Sequence, residues 1–251
     1  MSNQFLRTIM LALPDLAELR RYDTPTVCNA IELFEIRSRA VGYMNREIAA
    51  CFPELPPMVG YAATTTFRSS APVDSSIDPG IPARLISSFA ELPGPAVVVF
   101  QDLDDQPAGA TFGDGMCLTY KTFGAVGLIT SGAARDIDNV RALEFPCFSN
   151  GIMSGHGYCH FEATGVPVEV GGLTIHPGDL LHGDCNGVVI IPPEVAAAVP
   201  YACEQYLKHE AIVLDPLREG SADLDRHQRA IQEMLARLNE LKVELKAMIQ
   251  S

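Results

Sequence analysis

The sequence predicts an α/β fold that ends in a long helix, and three observations lead there. Between residues 60 and 150, short apolar or β-branched runs alternate with helical stretches. From Gly165 the texture turns to brief β-rich runs broken by glycine and proline. Near the C-terminus, Leu224, Ile231, Leu238 and Leu245 fall seven residues apart, with Met234, Leu241 and Met248 three after the last three of them.

In chain order, residues 14–35 read as helical, with Thr24 as a cap and Pro25 in the first turn of the second stretch. Residues 36–57 read as irregular because Pro53, Pro56 and Pro57 interrupt them. GYAATTTFRSS, from Gly60, has the small and β-branched residues of a strand. Asp78 to Leu92 suits a helix with Ile81, Leu85, Ile86 and Phe89 as its apolar set. Val97 to Phe100 reads as a buried strand. GATFGDGMCLTYKTFG reads as a strand end, a glycine turn at Gly113–Gly115 and a helix stopped by Gly124. AVGLIT is a strand, SGAARDIDNVRAL a loop entering a helix, and EFPCFSNG a short strand and turn. Residues 165–193 predict a layer of tight hairpins, and a helix is expected from Pro193 to His209. A polar hinge, LREGSAD, follows Pro216. The expected organisation is thus residues 1–215 as one domain and 216–251 as a helical extension. Its heptad stripe fits either a seam between subunits or packing within the chain.

Composition narrows the function classes. The 251 residues are 47% hydrophobic and 20% charged, ample for a packed core. A formal net charge of −13 disfavours nucleic acid as a partner, while leaving room for a local basic pocket that binds a small anion. Seven cysteines, an odd number without a CxxC step, fit a reducing compartment. The apolar patch IMLAL is broken by Pro14 and has no cleavage site after it, so it is not read as a signal peptide. No run approaches the roughly 20 apolar residues that cross a bilayer. The expectation is a cytoplasmic protein with no membrane partner.

Chemistry concentrates in two turns, Gly113-Asp114-Gly115 and Ser131-Gly132-Ala133-Ala134-Arg135-Asp136. Each lies where a strand passes into a helix, and ligands of α/β sheets collect at such places. Helix starts offer unpaired N–H groups and partial positive charge, which suit a carboxylate. Glycines at 113 and 115 permit close backbone approach. Arg135 can hold a carboxylate in a bidentate fork, which a lysine cannot. Asp136 supplies a hard oxygen for Mg²⁺ or Mn²⁺, and Asp114 can hold the ion's waters. Each feature alone is common: Gly-Asp-Gly is most often a turn, and Arg-Asp at a helix start a solvated surface pair. Their combination is what marks a site.

The combination has a family likeness. Twenty residues separate Asp114 from Arg135-Asp136, giving D-x20-R-D, and Gly165-Val166-Pro167-Val168, Gly171-Gly172, Pro177-Gly178-Asp179 and Gly183-Asp184 through Gly187-Val188-Val189 follow. From about Leu19 to Glu210 the chain resembles the RraA-like family, which includes 4-hydroxy-4-methyl-2-oxoglutarate aldolases and regulators of ribonuclease E. The resemblance implies an α/β/β sandwich of the swivelling β/β/α type, assembled as a homotrimer or homohexamer with the site between subunits. It implies a divalent metal held by Asp136 directly and by Asp114 through water. Arg135 would bind a small 2-oxo acid, whose carboxylate the backbone of Gly113, Gly115 and Met116 would hold. A glutamate from a neighbouring subunit would complete the metal shell, and Glu210 is the best match, with Glu204 as rival. Two features depart from the family: Ser131-Gly132 stands where Asp-Gly is frequent, and the tail beyond Pro216 is longer.

The implied activity is a class II pyruvate aldolase with oxaloacetate decarboxylase activity. Either reaction generates a pyruvate enolate, whose charge the metal and Arg135 would stabilise. A non-catalytic regulator, or another lyase or hydratase acting on a small oxygenated acid, is the alternative. Competing motifs read as structural. His156 and His160 are spaced like helical zinc ligands, but Gly155 and Gly157 argue for a loop of exposed or hydrogen-bonded histidines, with substrate contact by either as the alternative. His176 and His182 read as structural, Cys117 lies near the site without marks of a nucleophile, and Asp102, Asp104 and Asp105 read as a solvated acidic loop.

Overall fold

A computed structural model describes residues 13–74, 76–220 and 222–250. All of the IMLAL patch except Leu13, and Ser221 of the polar hinge, lie outside the described residues. By contacts the chain forms two compact units, one running to Thr24 and over Gly42–Ile191, the other comprising Pro25–Val41 and Pro192–Ser251.

The first unit is organised by a long strand, β2. Before it come α1 (Leu13–Leu19), α2 (Thr24–Leu33), whose first residue belongs to this unit, and the two-residue β1 (Ala49–Ala50). Strand β2 (Met58–Arg68) runs parallel to β3 (Ala96–Asp102) on one side. On its other side two antiparallel partners share its length: β11 (Leu180–Asp184) along Met58–Tyr61 and β8 (His160–Thr164) along Thr65–Arg68. The sheet continues from β3 through β5 (Gly127–Thr130) and β7 (Cys147–Ser149) to β1, and from β11 to β12 (Gly187–Ile191). Every residue of β2 but Arg68 is buried, so the small residues Gly60, Ala62, Ala63 and Thr64–Thr66 carry no in–out alternation. Both faces of the strand are covered, which is the situation of a central strand between two layers.

Those layers follow from the alternation of β3. Val98 and Phe100 join Phe67, Leu85, Phe112, Tyr120 and Leu128 in one core, on the side of α3 (Ile81–Ser88) and α4 (Asp114–Thr122). Val97 and Val99 point the other way, into a second core with Val168, Val170, Leu173 and Ile175. These last four come from the hairpin of β9 (Val168–Val170) and β10 (Leu173–Ile175). Helices, central sheet and hairpin give the α/β/β order the sequence implied.

Histidine 182 is a structural pin in this unit. Its ring is buried on β11, Nε2 donates to the Leu19 carbonyl at 3.1 Å, and Nδ1 sits 3.0 Å from the Thr24 hydroxyl. Burial lowers its pKa, so the neutral ring accepts from Thr24 while donating to Leu19. The Thr24 hydroxyl, expected to cap a helix, is therefore committed to His182, and the Thr24 N–H goes to Asp184.

In the second unit the helix expected over 193–209 is α6 (Val199–Arg218). Residues 192–198 form turns instead, and Pro200 occupies the first helical turn, where its missing N–H costs nothing. The helix continues through Pro216 for two more residues, to Arg218. Gly220, at φ +84°, makes the left-handed stop. The last helix, α7 (Leu224–Gln250), lays its stripe along α6. Leu241 and Leu245 are buried there, and Ile231, Met234 and Leu238 are partly buried. Tyr201 Oη donates to Glu244 at 2.6 Å, and Lys242 and Lys246 hold Glu35. At these positions the seven-residue spacing serves packing within the chain. Among the described residues, no helix is long and apolar enough to cross a membrane.

Candidate active site

The two chemical turns meet through a ladder of their own. Strand β4 (Ala110–Phe112) pairs in parallel with β6 (Ala133–Ala134), apart from the main sheet. The sequence had Ala133–Ala134 as loop. Residues this small show no pattern, and pairing with β4 is what makes them a strand. Helix α4 starts one residue after β4, and α5 (Ile137–Ala142) starts two residues after β6. Both helix N-termini are thereby set side by side.

Asp136 takes the position before α5 in a left-handed conformation, φ +55° and ψ +38°. Among non-glycine residues Asp tolerates this region comparatively well, but it still stores strain, which tends to concentrate at functional sites. Its Oδ2 lies 3.4 Å from Arg135 Nε and 3.5 Å from the Asp114 N–H. The Arg135 and Asp136 side chains are each 35% exposed, open to a ligand without being free in solvent. Asp114 is held twice, by the Gly115 N–H at 2.7 Å and by the Asn139 amide at 3.0 Å. A carboxylate offers about four lone-pair sites, so about two remain. Asn139 is a supporting residue that sequence reasoning missed. It sits 25 residues from Asp114, and only the pairing of β4 with β6 brings the two together.

Glycines work here in two different ways. A Cβ on Gly113 would fall 2.4 Å from Asp136 Oδ2 and 3.1 Å from Arg135 Nε. That bare backbone makes room for the Arg-Asp pair rather than for a ligand. Around Gly115 there is nothing within 4 Å, so this is the glycine that leaves space open. Gly132 is demanded by packing, since its Cβ would meet Thr111 Oγ1 at 2.1 Å and Asp102 Oδ2 at 2.8 Å. Ser131, at the position of the family departure, has its hydroxyl accepting the Asp102 N–H at 2.8 Å, which ties the end of β3 to this turn.

Arg135, Asp114, Gly113, Gly115 and Met116 all line one open cleft of about 560 Å³. Asp136 stands just behind it, in contact with Arg135. First-turn N–H groups of a helix lack intrahelical carbonyls, and Gly115 and Met116, both in that turn of α4, line this cleft. The Gly115 N–H is already taken by Asp114, which leaves Met116 as the better donor to a carboxylate. The exposed His156 and Cys159 also line the cleft. His156 has its Nδ1 on the Gly157 carbonyl at 2.8 Å. His160 instead pairs with Glu162 at 3.0 Å. Cys117 is fully buried with its sulfur 3.9 Å from that of Cys147, and it serves the core.

A hydrated Mg²⁺ or Mn²⁺ fits this donor set. The contacts of Asp136 fall on Oδ2, leaving Oδ1 for an outside cation, and Asp114 retains acceptor capacity nearby. Among the described residues no three His, Cys, Asp or Glu side chains cluster as a metal cage. That excludes a closed zinc-type site there but suits an ion that keeps most of its waters. Glu204 and Glu210 both lie on α6, where Glu204 pairs with Lys208 at 2.9 Å.

The acidic stretch after β3 is corrected by the structure. Asp104 is not solvated: its side chain is 3% exposed and ties two loops together. Burial raises its pKa, but the Ser70 hydroxyl, the Ser69 and Ser70 N–H groups and Arg68 outweigh this and hold it at about 2. The gap from 3.8 is worth roughly 2 kcal/mol. A depressed carboxyl stabilises the fold above its unfolded value, so this contribution should disappear as pH falls from about 4 to about 2. Asp104→Asn should lower unfolding free energy at pH 7 by roughly 2 kcal/mol. It should also flatten the acid limb of a denaturation series across that window. Equal slopes for both proteins would contradict the assignment.

Known proteins resemble this chain in sequence and in fold. The family model described as RraA-like, Aldolase/RraA, matches residues 24–190. A protein of Halalkalibacterium halodurans named "Putative 4-hydroxy-4-methyl-2-oxoglutarate aldolase" is 31% identical over 152 residues, 60% of this chain and 65% of that one. The chain thus spans a little under two thirds of that relative's length. A protein of the same name from Pseudomonas syringae pv. tomato is 31% identical over 161 residues, 60% of this chain and 94% of its own. A solved structure of an uncharacterised Pseudomonas syringae pv. tomato protein superposes with TM-score 0.68 and 26% identity, covering 88% and 94% of the two chains. Streptomyces coelicolor RraAS2, described as an unusual member of the RNase ES inhibitor RraA protein family, shares the fold at TM-score 0.63 and 22% identity, covering 79% and 94%. With its three-layer core, its paired helix starts and a family match over most of its length, this chain belongs to the RraA-like family.

Proposed function

We propose that this protein is a divalent-cation-dependent lyase that cleaves a 4-hydroxy-2-oxo acid to pyruvate, with oxaloacetate decarboxylation as a second activity. The observation that carries the reading is that Arg135 and Asp114 line one cleft while Asp136 stands behind them, in contact with Arg135 and the Asp114 N–H. The names of the curated relatives support a lyase.

In this reading Arg135 and the Met116 N–H grip the substrate carboxylate and orient the 2-oxo group. Asp136 would hold the cation directly and Asp114 would hold it through water. When bound, the cation supplies Lewis-acid stabilisation of negative charge on the 2-oxo oxygen. Arg135 adds its own charge at the same place. Asp114, kept aimed by its hydrogen bond from Asn139, would receive through a water the proton that leaves the 4-hydroxyl. The reading also sets the site between subunits of a trimer or hexamer, in a reducing cytoplasm. Seven unbridged cysteines support the compartment. The existing partner of Glu204 favours Glu210 as the neighbour's contribution.

The test follows pyruvate with a coupled dehydrogenase, using 4-hydroxy-2-oxo acids and oxaloacetate with Mg²⁺ or Mn²⁺. Turnover should stop with EDTA and return on adding excess metal. Inactivity toward every such acid, together with tight binding of a protein partner, would establish a regulator instead.

A further inference from the structure

The cleft is larger than its polar mouth, and beyond the mouth apolar side chains make up much of the lining, with the Thr119 hydroxyl already donating to the Gly115 carbonyl and His156 Nδ1 to the Gly157 carbonyl. From Arg135 and the start of α4, it extends along one face of that helix past Met116 to Tyr120. Six residues at about 1.5 Å each make that run roughly 9 Å. Opposite stand Pro82 and Ile86 of α3 and Phe161 of β8. Ile86, Met116 and Phe161 are partly buried against the helix-side core, so this wall is fixed by packing. Phe161 is further held by Phe100 and Phe67, with ring centroids 5.6 and 6.2 Å away.

Charge is distributed unevenly. Among the described residues lining the cleft, Arg135 is the one permanent cation. Cations on neighbouring elements are already committed. Arg84 of α3 pairs with Asp78, and Arg68 of β2 pairs with Asp104 and Glu162. A ligand with a carboxylate at each end would seat one on Arg135, and among the described lining residues no second permanent cation would meet the other beside Ile86 and Phe161. Desolvating a carboxylate that way is strongly unfavourable. The chain's net charge of −13 also opposes a second negative group.

We propose that the substrate is a monocarboxylic 4-hydroxy-2-oxo acid whose C4 carries an apolar alkyl or aryl group, seated against Ile86, Met116 and Phe161. The inference rests on the lyase reading and specifies its substrate class. In the reaction the C3–C4 bond breaks and its electron pair forms the C2=C3 bond of the enolate. The 4-hydroxyl loses its proton as C4 becomes a carbonyl, and C3 then takes up a proton. The products are pyruvate and an apolar aldehyde or ketone, and no oxidant or reductant is consumed.

The experiment compares 4-hydroxy-2-oxo-4-phenylbutanoate and 4-hydroxy-2-oxohexanoate with 4-hydroxy-4-methyl-2-oxoglutarate, all with Mg²⁺ and the full-length protein. The apolar substrates should have kcat/KM at least roughly ten-fold higher, the scale on which a hydrophobic pocket discriminates. Calorimetric titration of the unreactive analogues 2-oxo-4-phenylbutanoate and 2-oxoglutarate should show the same order of affinity. Ile86→Arg, and independently Thr119→Arg from the facing helix, should reverse that order by adding a cation to the apolar end. If the dicarboxylate is turned over and bound better by the unaltered protein, the substrate assignment is overturned and the lyase reading stands. If no substrate of either class yields pyruvate, the lyase reading itself fails.

Discussion

Arg135→Ala should lower kcat/KM for pyruvate release by on the order of 10²- to 10³-fold while leaving the protein folded. Both halves of this expectation come from the site. The guanidinium lines the cleft, and its contact with Asp136 is long, at 3.4 Å, and a third exposed. An ion pair of that kind contributes little to stability, so the melting temperature should hold. Its contribution to the proposed reaction should be larger, because there charge would develop on an oxygen in the transition state and a preorganised cation beside it needs no rearrangement. Arg135→Lys should recover only part of the loss, since a point charge cannot hold a carboxylate with two parallel bonds. The measurement is steady-state kinetics on a substrate the unaltered enzyme turns over, with thermal unfolding alongside. Pyruvate release at the original rate by the alanine variant would remove the guanidinium from the mechanism.

The site could be anticipated because its parts lie close together in sequence around two strand-to-helix turns. Glycine at 113 and 115 and the Arg135-Asp136 step are local signals, and the helix and strand that separate the turns lead to the expectation that they sit side by side. The rest depends on contacts between distant residues, which no local pattern encodes. Asp104 reads as solvated because acidic runs usually are, yet Ser69, Ser70 and Arg68 from another strand end enclose it. Ile86 reads as an ordinary core position of a helix, and the strand that carries Phe161 is not anticipated; only the packing of those elements leaves part of each facing a cleft. The stripe on α7 is visible as a period, but a period does not say which surface it meets. Leu241 and Leu245 meet α6. Pro216 reads as a boundary because proline breaks helix interiors, yet the helix continues two residues beyond it.

Gly113→Ala should be nearly as damaging as loss of Arg135, although Gly113 offers no side chain to a ligand. Its backbone is extended, with φ −145° and ψ −167°, so alanine adopts it without strain. The obstacle is lateral: the new methyl would sit 2.4 Å from Asp136 Oδ2 and 3.1 and 3.2 Å from Arg135 Nε and Cγ. These atoms belong to side chains that can swing away, so the fold should survive and its melting temperature change little. What cannot survive is their joint aim, because displacing either group by about 1 Å is enough to cost on the order of 10²-fold in rate. Metal affinity should fall along with kcat, since Asp136 is the proposed direct ligand. Gly115→Ala is the internal contrast. Nothing lies within 4 Å of its Cβ, so alanine should stabilise the first turn of α4 by about 0.5 kcal/mol. It should raise KM only if substrate approaches that backbone closely. An active, metal-binding Gly113→Ala protein would mean that Arg135 and Asp136 need not act from the positions in which the fold holds them.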